Sequence, residues 1–236
     1  MKVEIWSDYV CPFCYIGKKK LELALEQFAH KDKIEILYKS FELDPNADSD
    51  TEMDTYTMLS QKYGMSVQQA KQNSSNIAEQ AAEVGLTFNF DGTVMTNTFD
   101  AHRLMQFAAK QGKNHQMANL LFQSYFTNNV NIGKRDSLIA IAGQLDLDED
   151  ETAAMLASDQ FSAEVRAEEE EASRLGVRGV PFFVIDRKYA VSGAQSPEVF
   201  LNALKQAWDE KYPALVQVSD DQGGMCTDGV CEPKQQ

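Results

Sequence analysis

The amino-acid sequence predicts an α/β fold whose sheet is interrupted by a long helical insertion. Three observations support this class. Residues 1–50 alternate strand and helix patterns in the order β-α-β. Residues 51–176 carry helical patterns almost throughout. Strand patterns return after residue 177 and are followed by one more helix, so the C-terminal order is β-β-α.

The N-terminal segment predicts a parallel crossover unit. Val3 and Ile5 flank Glu4 in an alternating pattern, which indicates a short strand. Residues 14–29 predict a helix because apolar side chains recur at helical spacing, and alternation across residues 34–39 predicts a second strand. Two strands joined by a helix generally pair in parallel.

The central segment, residues 51–176, predicts an insertion made of helices. Apolar side chains recur every three or four positions across residues 117–125, 138–145 and 161–175. Gly176 follows the last of these patterns. Because glycine readily adopts the left-handed conformation of a C-cap, we expect the helix to end there.

The C-terminal segment predicts a hairpin followed by a helix. Phe182–Ile185 is a continuous apolar run, and the polar residues 186–188 suit a turn before Tyr189–Ser192. Ser196 followed by Pro197 is a typical helix start. We therefore predict one discontinuous domain from residues 1–50 and 177–212.

The last segment, residues 213–236, is rich in glycine and polar residues and predicts a flexible tail. It carries a second cysteine pair, Cys226 and Cys231, on either side of an Asp-Gly turn signal. Extended chain from Tyr212 to Cys226 spans up to about 45–50 Å, a reach that leaves contact with the N-terminal cysteines open. An accessory redox pair and a local disulfide clamp both remain open.

Composition excludes several function classes. The chain has 236 residues and a formal net charge of −14, and no basic run is longer than Lys18–Lys20. This charge disfavours a nucleic-acid partner and an anionic membrane. No apolar run approaches the roughly 18 residues of a membrane span. Glu4 and Asp8 interrupt any secretory signal at the start, so we expect a cytoplasmic protein.

The run Glu168–Glu171 lies on the last predicted helix of the insertion and predicts a solvated helix face.

The chemistry of the N-terminal segment centres on Cys11 and Cys14. They follow a predicted strand and open a predicted helix, where the free N–H groups and the helix dipole stabilise a thiolate. Pro12 suits the first turn because its missing N–H would be unpaired there. The spacing predicts Cys11 as an exposed attacking thiolate and Cys14 as the resolving thiol. In a reducing compartment such pairs are commonly catalytic, redox-sensing or metal-binding.

Two structural alternatives for the CxxC pair remain open. A zinc site would need further ligands from Cys226, Cys231 and the three histidines of the chain, which are His30, His102 and His115. A purely structural disulfide would need an oxidising compartment. We expect no metal.

Three features give the chain a family resemblance. They are Cys11-Pro12-Phe13-Cys14, a helical block inserted after the second strand, and "GVRGVPFFVID" at residues 176–186. With these features the sequence resembles the DsbA-like proteins of the thioredoxin superfamily. "NTFDAHRL" at residues 97–104 resembles the FrnE-like branch, which is related to 2-hydroxychromene-2-carboxylate isomerases and kappa-class glutathione transferases.

The resemblance implies a thioredoxin-like fold and a thiol–disulfide oxidoreductase. It implies a cis Val180–Pro181 bond facing the cysteines, with the Val180 backbone pairing with an extended substrate. The substrate-binding residues it suggests are Pro12, Phe13, Val180, Pro181 and His102. Partners would be protein or small-molecule thiols and disulfides, handled by a monomer or homodimer. The redox-active disulfide would be the only cofactor, with glutathione as one candidate reductant.

Two departures bear on this reading of function. Phe13 stands where periplasmic DsbA enzymes carry a histidine, so we expect a less oxidising pair. The related transferases and isomerases generally use a serine to activate glutathione, so the intact Cys11 and Cys14 pair favours dithiol exchange over glutathione conjugation. A glutathione-dependent transferase or isomerase, and a redox or zinc sensor, remain the alternatives.

Two further polar residues have predicted roles. Arg103, beside His102, is a candidate carboxylate-binding residue, and Asp8 is interpreted as a loop or cap residue.

Overall fold

The computed structural model describes residues 1–49, 53–213, 225–227 and 230–232. The strands are β1 (Lys2–Ser7), β2 (Glu35–Ser40), β3 (Phe182–Ile185), β4 (Tyr189–Ser192), β5 (Met225–Thr227) and β6 (Val230–Glu232). The helices are α1 (Pro12–Glu26), α2 (Thr55–Tyr63), α3 (Val67–Ala82), α4 (Phe99–Lys110), α5 (Asn114–Phe126), α6 (Arg135–Gly143), α7 (Glu149–Ala157), α8 (Ser162–Arg174) and α9 (Pro197–Lys211). Short 3-10 turns occur at Lys31–Lys33 and Phe90–Gly92.

The main sheet has the strand order β2-β1-β3-β4. β1 pairs in parallel with β2, and α1 is the crossover between them, as predicted. β3 runs antiparallel to β1 and pairs with β4 through a tight turn. Asp186 and Arg187 in this turn have φ values of 50° and 59°, as a primed hairpin turn requires. The predicted α/β class is confirmed.

The two faces of β1 are both buried. Val3 and Ile5 belong to the main core, whereas Trp6 packs with Val184 and Ala172 on the opposite face. This arrangement follows from alternation along a strand, because successive side chains point to opposite faces. The Trp6 indole nitrogen also donates to the Glu168 carbonyl at 3.0 Å and so links the sheet to α8.

The helical segment shares the main core with the sheet. Leu104 of α4, Phe122 of α5, Leu138 of α6 and Leu156 of α7 are all fully buried in the same cluster as the β1 side chains. Burial of this continuous apolar surface is the main force holding the inserted helices against the N-terminal segment. The predicted boundaries of a separate insertion domain stay a prediction.

Three local expectations can be compared with the structure. The first helix begins at Pro12 and ends at Glu26, slightly earlier at both ends than expected. Gly176 has φ of 74° and follows the end of α8, which confirms the predicted stop. The expected solvated face at Glu168–Glu171 is wrong for Glu168, whose carboxylate accepts from the Ser40 amide and hydroxyl, both at 2.8 Å.

The tail is described at two short strands. β5 and β6 pair antiparallel, and Cys226 lies opposite Cys231 in the register. Residues 214–224, 228–229 and 233–236 lie outside the described residues, so the predicted flexibility of the tail is not tested. Within the described ranges, no helix is both long and apolar enough to cross a bilayer.

Candidate active site

The loop after β1 carries the cysteine pair to the start of α1. Cys11 is the N-cap residue and Pro12 occupies the first helical turn, as its fixed φ favours. The Cys11 amide donates to the Asp8 carbonyl at 3.1 Å, and the Cys14 amide donates to the Cys11 carbonyl at 3.1 Å. These two bonds fix both cysteines to the same turn of backbone.

Both thiols are free and buried. Cys11 is 5% exposed, so the expectation of an exposed first-turn thiol is wrong. Its Sγ atom faces the Val180 carbonyl at 3.6 Å, which covers it from one side. Phe13, between the cysteines, is 40% exposed and is the most exposed residue of the segment from Cys11 to Cys14.

Cys14 differs from Cys11 in its surroundings. It is 1% exposed, and burial raises its pKa well above the ordinary value, with Cys11 adding to the rise. The Ser7 hydroxyl and the Asp8 amide oppose that rise, and the Asp8 amide lies 3.5 Å from Cys14 Sγ. Cys14 is therefore held as a neutral thiol.

The bond between Val180 and Pro181 is cis, as the resemblance implies. α1 packs closely on this proline at Gly17. A Cβ atom at Gly17 would lie 3.0 Å from Pro181 Cγ and 3.2 Å from Phe183 Cζ, so only glycine allows this approach without displacement. The Pro181 carbonyl accepts from the Gly193 amide at 2.8 Å, which fixes its other side.

A cavity of about 370 Å³ opens beside Cys11. The loop after β1, the loop after β2, helices α2 and α3 and the end of α5 enclose it. Its walls are mainly apolar, and Lys62 and Asp44 form an ion pair at 2.8 Å among the lining residues. The hydrogen bond from Lys62 lowers the pKa of Asp44. The apolar wall includes Val10, Phe13, Leu43, Leu59, Tyr63, Met65, Ile77, Phe90, Met95 and Phe126.

A family model described as a DSBA-like thioredoxin domain matches residues 2–205 of the chain. The chain belongs to the DsbA-like thioredoxin family. This match confirms the family that the sequence resembles, and the cysteine pair and the cis proline lie inside the matched residues.

Three known proteins illustrate the similarity. The crystal structure of a probable DsbA oxidoreductase, SCO1869 from Streptomyces coelicolor, is 40% identical, covers 100% of both chains and has a TM-score of 0.85. The uncharacterized protein YwbO of Bacillus subtilis (strain 168) is 27% identical over 211 residues, which are 89% of this chain and 98% of YwbO. A 2-hydroxychromene-2-carboxylate isomerase is 14% identical and covers 89% of this chain and 98% of its own, with a TM-score of 0.67. The isomerase shares the fold.

His102 and Arg103 of this DsbA-like chain do not contact the cavity. His102 is 1% exposed and packs on the Tyr9 ring, with centroids 5.0 Å apart, so the predicted substrate contact is wrong. Arg103 is also buried. It pairs with Asp100 at 2.6 Å and donates to the carbonyls of Met155 and Ser158, so it joins α4 to the end of α7. Its donors are occupied by these internal partners.

Asp8 is the site residue whose role the sequence did not indicate. It is buried, lines the cavity and accepts the Leu43 amide at 2.7 Å, which ties the β1 loop to the loop after β2. The sequence feature that could have identified Asp8 as a site residue is its position three residues before Cys11. Leu43 and the cavity residues from the insertion carried none, because only tertiary folding brings them to Cys11.

The other two histidines do not line the cavity. The His30 ring stacks on the Trp208 ring, with centroids 4.1 Å apart. His115 Nδ1 lies 3.3 Å from the Tyr38 hydroxyl oxygen. Within the ranges that the structure describes, no group of three or more His, Cys, Asp and Glu side chains is placed to hold a metal ion. The side chains of Cys226 and Cys231 lie outside the described part of the molecule.

Proposed function

We propose that this DsbA-like protein is a thiol–disulfide oxidoreductase. The observation that carries the proposal is two free thiols one helical turn apart, with Cys11 between the cis Val180–Pro181 bond and an apolar cavity. Cys11 attacks a substrate disulfide as a thiolate and releases one substrate thiol. Cys14 then displaces the second substrate thiol and closes the Cys11–Cys14 disulfide.

The unequal burial of the two thiols supports this order of events. Cys11 caps the N-terminus of α1, where the helix dipole stabilises negative charge on its sulfur. Cys14 is kept neutral by burial and does not compete as a nucleophile in the first step. It lies on the same turn as Cys11 and reaches the mixed disulfide without a large movement of the backbone.

Two surfaces next to Cys11 favour a peptide substrate. One can pair with the peptide backbone, and the other can contact apolar side chains. The Val180 carbonyl lies 3.6 Å from Cys11 Sγ, where it can pair with an extended peptide. The cavity lies beside the same residue, and Phe13, Leu43 and Tyr63 are exposed apolar side chains at its wall. We propose protein disulfides with apolar residues near the cysteine as substrates and a thiol such as glutathione as reductant. A cytoplasmic location, predicted from the sequence, fits that reductant.

Reduction of insulin disulfides with glutathione as electron source tests the proposal. We expect Cys11→Ser to abolish turnover, because no other described thiolate faces the substrate surfaces. Cys14→Ala should form mixed disulfides that resolve slowly. His115→Gln changes a residue away from the cavity and serves as the control. Full turnover by Cys11→Ser would overturn the proposal.

The cavity also supports a second candidate, a glutathione-dependent transferase or isomerase. A volume of about 370 Å³ with mainly apolar walls is of the size that small ligands occupy. In this case glutathione would be bound and activated near Cys11 and the second reactant would lie in the cavity. Glutathione conjugation that survives Cys11→Ser, without dithiol turnover in the wild-type protein, would favour this candidate.

A further inference from the structure

The cavity beside Cys11 has partly exposed side chains on its solvent-facing side. Phe13, Leu43, Asp44, Lys62 and Tyr63 line the cavity and are also accessible from outside, and we call them the cavity mouth. Three of the five are apolar, and the other two carry opposite charges. The cavity mouth therefore presents a substrate with an apolar surface and one ion pair.

The ion pair joins the end of α2 to the loop after β2. Lys62 lies in the last turn of α2, and its Nζ atom donates to Asp44 Oδ2 at 2.8 Å. The Lys62 side chain is 33% exposed and the Asp44 side chain is 42% exposed. Exposed pairs of this kind are weak, because water screens the charges and two side chains lose freedom. A charged group of a substrate can therefore replace one partner of the pair.

Asp44 is the fixed partner of the pair. The Leu43 amide before it donates to Asp8 Oδ2 at 2.7 Å, and the Asp44 carbonyl accepts from the Ala47 amide at 3.1 Å. The Asp8 carbonyl in turn accepts from the Cys11 amide at 3.1 Å, so this loop is tied to the backbone of the cysteine pair. Lys62 holds its ammonium group at the end of a flexible four-carbon chain. Displacement of Lys62 from Asp44 thus needs only side-chain rotation.

Charge around the cavity favours a positively charged substrate group. Among the described residues that line it, the carboxyl groups of Asp8 and Asp44 outnumber the single ammonium group of Lys62. The hydrogen bond from Lys62 lowers the pKa of Asp44, so this carboxylate is ionised at neutral pH. The whole chain has a formal net charge of −14, and a field of this sign attracts cations.

Lys62 also shows which chemistry the cavity mouth accepts. Its side chain combines an aliphatic stem, which can lie along an apolar wall, with an ammonium group that reaches a carboxylate. A lysine or arginine of a bound peptide has the same two parts. It could occupy the same position while neighbouring apolar side chains of the peptide contact Phe13, Leu43 and Tyr63.

We propose that the cavity mouth selects peptide disulfides with a lysine or arginine a few residues from the cysteine, and that Asp44 binds this cation in place of Lys62. The inference rests on the proposed oxidoreductase function and specifies its substrate class. Asp44 is then a specificity-determining residue that takes no part in the exchange of electrons. The opposite assignment, in which Lys62 binds an acidic residue of the substrate, is distinguished by the experiment below.

Peptides activated as pyridyl disulfides measure selection at the first step. Three peptides differ only at one residue two positions from the cysteine, which is lysine, norleucine or glutamate. Norleucine matches the stem of lysine without its charge. Attack of the Cys11 thiolate on the peptide sulfur forms the mixed disulfide and releases the pyridinethiol, which is followed by its absorbance. At low salt and below saturation, we expect the lysine peptide to react about 3-fold faster than the norleucine peptide and about 10-fold faster than the glutamate peptide.

Two single substitutions separate the roles of the ion-pair partners. Asp44→Asn removes the acceptor and leaves Lys62 without it, so the lysine preference should disappear and the glutamate peptide should become the fastest. Lys62→Met removes the competing cation, so the preference for lysine over norleucine should grow by about 3-fold. In wild-type protein, the ratio of lysine to glutamate rates should fall towards one as salt rises, because salt screens exposed charges.

A second ion pair of the same composition supplies the matched control. Lys211 and Asp186 also lie 2.8 Å apart, and neither lines the cavity. Asp186→Asn and Lys211→Met should therefore keep the wild-type ratios among the three peptides. Because ratios are compared within one preparation, partial loss of active protein does not affect them.

The outcomes separate the inference from the proposed function. Equal rates for the three peptides overturn the inference, as does a glutamate preference in wild-type protein that Lys62→Met removes. Release of pyridinethiol that is as fast in Cys11→Ser as in wild-type protein, for every peptide, would instead overturn the proposed function.

Discussion

Replacement of Gly17 by alanine tests whether the packing of α1 on the cis proline sets the geometry of the site. Gly17 lies one turn after Cys14 on α1 and packs next to Pro181 and Phe183. The added Cβ would lie 3.0 Å from Pro181 Cγ, 3.2 Å from Phe183 Cζ and 3.4 Å from Ala194 Cα. The first two separations are shorter than ordinary van der Waals contact.

Two opposing effects determine the change in stability. Alanine in a helix interior is favoured over glycine by about 1 kcal/mol. Overpacking a well-packed interior costs about 1–3 kcal/mol. Pro181 is held by the Gly193 amide and Phe183 lies in a central strand, so neither neighbour moves freely. We therefore expect a net loss of about 1 kcal/mol in the free energy of unfolding, or roughly 2–4 °C in Tm for a chain of this size.

The same displacement should affect turnover more than stability. If Pro181 shifts away from α1, the Val180 carbonyl moves relative to Cys11 Sγ, and misplacement of about 1 Å commonly costs on the order of 100-fold in rate. Thermal unfolding followed by circular dichroism and insulin reduction measure the two effects separately. Gly179→Ala is the matched control, because its Cβ would meet open space. A Gly17→Ala protein that is more stable than wild type and fully active would refute the reasoning.

Three further predictions concern charge and burial. Phe13→His should raise the reduction potential of the pair by at least about 30 mV in glutathione buffers, because an imidazolium would stabilise the reduced thiolate, and an unchanged potential would contradict this. Arg103→Met should lower the free energy of unfolding by about 3 kcal/mol in urea titrations, since it removes the charged donor to the Met155 and Ser158 carbonyls and one of the two arginine partners of Asp100. Burial raises the pKa of Glu42, so ionising it opposes folding and its contribution to stability is lost as pH rises through the raised value. The stability of Glu42→Gln relative to wild type should therefore increase between pH 4 and pH 7, and a decrease would show that the Arg166 pair dominates.

Much of the fold followed from local patterns in the sequence. Alternation in β1 and β2, the continuous apolar run of β3 and the glycine after α8 each determine local backbone geometry, and the structure places these elements close to the predicted positions. The four-glutamate run was misinterpreted because local composition does not show that Glu168 of α8 accepts hydrogen bonds from Ser40 at the end of β2.

The candidate site was only partly predictable. The CxxC spacing is a local signature, and the family resemblance implied the cis Val180–Pro181 bond, so both were found without the structure. Burial of Cys11, by contrast, depends on a distant segment, since Val180 covers its sulfur. The same holds for His102, which a sequence pattern placed near the site but which packs behind Asp8 rather than facing the substrate.

Intact-protein mass spectrometry after reaction with a peptide disulfide tests the central claim most directly. Cys14→Ala should gain the mass of one peptide thiol, and peptide mapping should place the adduct on Cys11. Wild-type protein treated in the same way should lose two hydrogens and carry no adduct, because Cys14 resolves the intermediate. An adduct on another cysteine of Cys14→Ala, or none at all, would contradict the assignment of Cys11 as the attacking thiolate and Cys14 as the resolving thiol.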